Sequence, residues 1–237
     1  MFGGIADRTL ATRTIERLFG NDIWTGWGLR TLSQRAPRFN PMSYHNGSIW
    51  PHDNALVAAG FSRYGDTVRA AQVLTALFDA SGAIEDRRLP ELFCGFPRAG
   101  ERRPVPYPVA CRPQAWAAGS LFLLLQAALG LRIEAWDRRL MLTCAVLPPW
   151  LQRLEIRGLR VADARVDLRV NRGHFGAAVE VMDRRATSTS WSASDQIGDD
   201  RQRFRPTGSG LRRTWRSPAA TWCSTRSGSS MAVSTPP

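Results

Sequence analysis

A chain of 237 residues carrying a formal charge of +12 has room for one large domain or two small ones. The charge is uneven: residues 1–183 hold 23 Arg against 17 acidic residues, while residues 184–237 hold 9 against 3, so the last 54 residues carry half of it. That weakens the nucleic-acid or anionic-membrane partner that a pI near 11.2 suggests, and neither is expected. Every basic residue is Arg, a bias that fits a GC-rich genome better than a binding function.

In chain order, Asp7 is a candidate N-cap for a helix to about Phe19, with Leu10, Ile15, Leu18 and Phe19 along one side. Residues 22–50 lack helical periodicity and carry Trp24, Trp27, Gly26, Gly28, Pro37 and Pro41. Long ordered loops of this kind are more often functional than not. Pro51-His52-Asp53 starts a second helix, with Leu56, Val57, Ala59 and Phe61 as its apolar side, closed by Tyr64-Gly65. A third runs from Asp66 to Ser81-Gly82 and should bury Val68, Ala71, Val73, Leu74, Leu77 and Phe78. Together the two make an αα-hairpin. Residues 83–112 are irregular and proline-rich, and an almost wholly apolar helix follows from Pro113 through Leu129. From Leu151 apolar and polar residues alternate, as in Ala164-Arg-Val-Asp-Leu-Arg-Val170 and Ala177-Ala-Val-Glu-Val-Met182, which predicts a small β-meander with a turn at Asn171-Arg-Gly173. Eighteen of residues 184–237 are Ser or Thr, without periodicity, and a disordered tail is expected there.

Cys94, Cys111, Cys144 and Cys223 stand far apart with no ligand spacing, so neither a metal nor a disulfide framework is expected. Residues 1–7 lack a charged region followed by an apolar core, and the longest apolar run, Ala115 to Leu131, is interrupted by Gly119, Ser120, Gln126 and Gly130. The expectation is a cytoplasmic protein without signal peptide or membrane span.

The stretch Asn40-Pro-Met-Ser-Tyr-His-Asn-Gly-Ser-Ile-Trp-Pro-His-Asp-Asn54 stands apart. It holds two His, one Asp, three Asn, a Tyr and a Trp, and Ile49 is its one branched aliphatic residue. Its polar groups would need partners at every step inside a core, so it reads as a loop pinned by Pro41, Gly47 and Pro51. Polar side chains beside a flat aromatic suit a sugar, whose hydroxyls need hydrogen bonds and whose C–H faces need a ring to lie on. The bland alternative is a loop whose polar groups satisfy one another.

Four segments carry a family resemblance: Gly26-Trp-Gly-Leu-Arg-Thr-Leu32, the Asn40–Asn54 stretch, Leu89-Pro-Glu-Leu-Phe-Cys-Gly-Phe-Pro97 and Pro113-Gln-Ala-Trp-Ala-Ala118. They resemble the C-terminal part of bacterial amylo-α-1,6-glucosidases of the glycogen-debranching type, in order and over roughly residues 2–182. The resemblance implies a mainly α fold: a partial (α/α)6 toroid over residues 1–150, with alternating inner and outer helices and long rim loops. A small β-rich extension over 151–183 and the tail over 184–237 would follow. It also implies hydrolysis of α-glucosidic linkages in an α-glucan or oligosaccharide, by an inverting route with two carboxylic acids and no cofactor or metal. One acid protonates the leaving oxygen and the other activates a water on the opposite face.

The family's base is the Glu of a Leu-Pro-Glu motif, which matches Glu91. Leu89, Leu92 and Phe93 could desolvate it and raise its basicity, and the alternative is a Glu paired with Arg87, Arg88 or Arg98. The family's acid, an Asp in a Gln-Gly-Trp-Lys-Asp-Ser motif, has no counterpart in a chain without Lys; Asp53 and Asp86 are the nearest remaining carboxylates. The expectation is a truncated, frameshifted chain, inactive alone. Substrate contacts carried over are Tyr44, His45, His52, Asp53 and Asn54 to hydroxyls, Trp50 as a stacking ring, Gln114 and Trp116 at the pocket floor, and Trp27 and Arg30 from the earlier loop. For each, a purely structural role stays open: Asp53 bonding free backbone N–H groups just inside a helix start, Trp50 and Trp116 packed in the core. A carbohydrate-binding remnant without catalysis and a basic nucleic-acid binder are the competing functions, and uncovered helix faces would favour self-association.

Overall fold

The computed structural model describes residues 1–99, 103–173 and 176–185, and the backbone of 186 and 192–195. Four helices come first: α1 (Arg8–Leu18), α2 (Pro51–Arg63), α3 (Thr67–Gly82) and α4 (Ala115–Ala128). Six strands follow: β1 (Leu131–Glu134), β2 (Arg139–Leu142), β3 (Arg153–Val161), β4 (Ala164–Gly173), β5 (Gly176–Ala186) and β6 (Ser192–Asp195). The chain divides into two compact units, Met1–Leu131 and Arg132–Pro237.

In the first unit, local chemistry sets the helix ends. The Asp7 carboxylate accepts the Leu10 N–H at 2.8 Å and the Asp66 carboxylate accepts the Arg69 N–H at 3.0 Å, each satisfying a donor that the first turn leaves free. Pro51 opens α2, where its missing N–H costs nothing. Helices α2, α3 and α4 pack on one another through Ala55, Ala58 and Phe61, through Ala70, Val73, Leu74 and Leu77, and through Ala117, Leu124 and Ala127.

Several expected faces are rotated. Leu10, Leu56, Val68 and Phe78 are exposed, while Ala11, Ala55, Ala58 and Ala70 take the buried positions. Small residues let the helices approach, and the buried Asn54 fixes which side of α2 turns inward. Helix α4 is not the buried rod its composition suggests: Phe122 is 78% exposed. Among the described residues no helix is long and apolar enough to cross a membrane.

In the second unit, β3, β4 and β5 form an antiparallel sheet in that order. Ala164, Val166, Leu168 and Val170 bury one face of β4, while Arg165, Asp167, Arg169 and Asn171 take the other. Arg169 pairs with Glu155 of β3 at 3.0 Å and Glu180 of β5 at 3.3 Å, which fixes the register across all three strands. The register shifts between Ile156 and Leu159, where Gly158 sits at φ +69°, a conformation that L side chains resist. A second sheet runs β1–β2–β6, with β6 parallel to β2.

The expected mainly α partial (α/α)6 toroid is therefore not the fold, because the described residues divide among four helices and two sheets. Two features drive the difference. Strand pairing extends to Ala186, and Leu131-Arg-Ile-Glu134 and Arg139–Leu142 turn back on each other within the stretch expected to close the helical part. The expected tail lies outside the described residues beyond 186, the backbone of β6 apart.

Candidate active site

The irregular segments of the first unit are held by a ladder of single antiparallel bridges, Arg30 to Ile49, Ile49 to Phe93 and Phe93 to Pro106. Ile49 and Phe93 exchange both backbone hydrogen bonds, at 2.9 and 3.0 Å. This ladder lays the Asn40–Asn54 stretch alongside Leu89–Phe93 and so brings Tyr44 to Glu91.

Glu91 is 7% exposed. Its Oε1 accepts the Tyr44 hydroxyl at 2.7 Å, and its Oε2 accepts the Cys111 N–H at 3.3 Å. The Glu91 N–H in turn donates to the Cys111 carbonyl at 3.1 Å. The Tyr44 hydroxyl holds the Glu91 carboxyl below its usual range; burial pushes the other way, and bonds from Cys111 and Gln114 add to the lowering. The expected rise in basicity from desolvation is thus reversed, because hydrogen bonds to the charged form outweigh burial. The same bond pushes the Tyr44 phenol up to about 12. None of the arginines expected as partners pairs with Glu91 among the described residues. Arg98 binds Asp79 at 2.7 Å and lies 4.4 Å over the Trp27 ring.

Beside this carboxylate is a cavity of about 320 Å³ lined by Thr31, Tyr44, His45, Trp50, His52, Asp53 and Trp116. Its walls are aromatic. His52 lies flat on Trp116 with centroids 3.9 Å apart, His45 lies parallel to Trp50 at 5.9 Å, and Tyr44 meets Trp50 edge-on at 4.7 Å. Asp53 is the carboxylate of this lining. Its side chain is half exposed and pairs with His52 Nε2 at 3.1 Å, and it stands in the first turn of α2, just inside the helix start as expected. His52 Nδ1 is buried and has no hydrogen-bond partner among the described residues.

The other expected contacts have framework partners. Asn54 accepts the Leu29 N–H at 2.7 Å and donates to the Leu29 and Trp50 carbonyls at 3.1 and 2.9 Å. Arg30 is buried, which lowers its pKa against the charge of Asp22, and it donates to Gly95 O at 2.7 Å, Asp22 O and Gln34. Trp27 is buried beneath Arg98. Trp50 is 5% exposed and donates its indole N–H to Tyr44 O and Ser48 Oγ, so it forms a wall fixed from behind. Trp116, in contrast, is 49% exposed. Sequence reading missed Cys111 because its part is played by the main chain, which no residue type announces. Among the described residues no three His, Cys, Asp or Glu side chains converge as metal ligands would.

Residues 1–104 match the family model described as the mannosylglycerate hydrolase MGH1-like glycoside hydrolase domain. That stretch contains Glu91, Tyr44 and every cavity residue except Trp116. The match supports a glycoside hydrolase domain and a carbohydrate substrate, without singling out amylo-α-1,6-glucosidase. No curated protein matches the chain.

Proposed function

We propose that the cavity holds one sugar ring of an α-linked glucoside and that Glu91 is the base that activates water for its hydrolysis. The observation that carries this reading is a buried, ionised carboxylate joined by a 2.7 Å hydrogen bond to a side chain of an aromatic-walled cavity. An ionised carboxylate suits a base and not an acid. In an inverting reaction it takes a proton from water while that water attacks the anomeric carbon. His52, His45 and Asp53 offer hydroxyl partners, and Trp116 presents a half-exposed ring face. Asp53 is paired with His52, and no motif marks it as the proton donor, so the proposal credits this chain with the base half of the chemistry.

A substrate whose leaving group needs no proton tests that half alone. Glucosyl fluoride should be turned over, and Glu91→Gln should slow it about a hundredfold or more, the usual worth of a positioned base. Equal rates in both proteins would sink the assignment. The family description favours a second substrate, a mannosyl glycerate; faster turnover of mannosyl than glucosyl fluoride would select it.

A further inference from the structure

The cavity and the carboxylate meet through one side chain. Tyr44 is among the cavity's lining residues and Glu91 is not, while the Tyr44 hydroxyl donates to Glu91 Oε1 at 2.7 Å. The phenol is held from several directions. Its own carbonyl accepts Ser48 Oγ at 2.6 Å and the Trp50 indole N–H at 3.0 Å. Its ring meets Trp50 edge-on and lies tilted 5.7 Å from Tyr107. A side chain pinned at both ends aims its hydroxyl with little freedom, and preorganisation of this kind is what a supporting residue contributes to a site.

The two oxygens of Glu91 are also unequal. Oε1 receives a short bond from a hydroxyl, and Oε2 receives a long one, 3.3 Å, from the Cys111 N–H. We propose that Tyr44 is a positioning residue for hydrolysis, its short bond to Oε1 locking the orientation of the Glu91 carboxylate that takes the proton from water. This inference rests on the hydrolytic reading of Glu91. In the step, the water O–H bond breaks and its proton goes to the Glu91 carboxylate. The oxygen's electron pair forms the new bond to the anomeric carbon, and the bond to the leaving group breaks with its pair, which in the fluoride substrate departs as fluoride ion.

The test uses the full chain as wild type, Tyr44→Phe and, as a control, Tyr64→Phe, whose hydroxyl bonds Ala6 O. Tyr44→Phe keeps the ring and its packing against Trp50. Glutamate labelled with ¹³C at the side-chain carboxyl gives the Glu91 titration directly, its signal assigned by its loss in Glu91→Gln. The expected result is a higher Glu91 midpoint in Tyr44→Phe alone. The acid limb of kcat/KM for glucosyl fluoride should move up with it, and kcat should fall about tenfold to a hundredfold, the worth of a hydrogen bond to a charged group. An unchanged midpoint beside normal Glu91-dependent turnover overturns the role of Tyr44 alone. A shifted midpoint with no fluoride turnover in the wild type overturns the hydrolytic reading and, with it, the role of Tyr44 in hydrolysis.

Discussion

His52 lies flat on Trp116, their ring centroids 3.9 Å apart and their planes within 10°. His52 stands in the first turn of α2 and Trp116 in the first turn of α4, so the starts of two packed helices converge on one wall of the cavity. Trp116 is half exposed, whereas Trp50 is buried and hydrogen-bonded through its indole. The two tryptophans should therefore fail differently. Trp116→Ala should leave the melting temperature nearly unchanged and weaken saccharide binding about two- to tenfold, the worth of one aromatic contact. Trp50→Ala should cost about 3–5 kcal/mol of stability, as large buried aromatics do. Calorimetric titration with maltooligosaccharides and urea unfolding of both variants check the contrast; a large stability loss in Trp116→Ala would contradict it.

Two bonds of the Asn54 amide tie the start of α2 to Leu29, and a third goes to the Trp50 carbonyl. Asn54 is 2% exposed, so its removal leaves the Leu29 N–H buried without a partner. Asn54→Ala should destabilise the protein by roughly 2–4 kcal/mol, the cost of stranded buried polar groups. A urea midpoint within error of wild type would show that water or another group replaces it.

How much of this was legible depended on whether the signal was local. The Asp7 and Asp66 caps, the Pro51 start and the alternation in Ala164–Val170 are written in neighbouring residues, and all appear as elements. The cause of the placement of the Asn40–Asn54 stretch beside Leu89–Phe93, the Arg30–Ile49–Phe93–Pro106 ladder, is main-chain pairing with no side-chain signature. Helix faces were misjudged where Ala took the buried positions and Leu56 or Phe78 turned outward, since apolar periodicity weights large residues. The toroid rested on the resemblance and on the alternation of helices with long polar loops, a pattern that fits a plain helical bundle equally well. Four-residue strands such as β1 and β2 are too short for alternation to announce.

Asp22 offers a pH test that does not involve the cavity. It is buried, accepts both Arg17 guanidinium nitrogens at 2.8 and 2.6 Å, and accepts the Ser33 hydroxyl. Its bonds from Arg17 and then Ser33 outweigh burial and hold its carboxyl far below the ordinary range. A carboxylate depressed in the folded state stabilises the fold above its unfolded pKa, about 3.9, and loses that contribution as pH falls towards the folded value. Wild type should therefore exceed Asp22→Asn in urea midpoint by a constant margin from pH 7 to about 5, and the margin should narrow below about pH 4. A margin that widens on acidification would rule out the Arg17–Asp22 pair as its source.

Gly95 shows how closely the two halves of the site approach. A Cβ added there would stand 1.7 Å from the Gly47 carbonyl oxygen, a separation only backbone movement can relieve. Gly95 cannot easily retreat, because its N–H donates to Pro41 O at 2.8 Å and its carbonyl accepts Arg30 Nε at 2.7 Å. The yielding side must then be the segment around Gly47, three residues past Tyr44. Gly95→Ala should cost on the order of 1–3 kcal/mol or more from overpacking. It should also pull the Tyr44 hydroxyl away from Glu91, so that the ¹³C midpoint of Glu91 rises as it would in Tyr44→Phe. Ala at a position remote from both oxygens has no electrostatic route to that carboxylate, so the titration separates loop displacement from simple destabilisation. A less stable Gly95→Ala with an unmoved Glu91 midpoint would mean that the strain is absorbed elsewhere than in the Tyr44 loop.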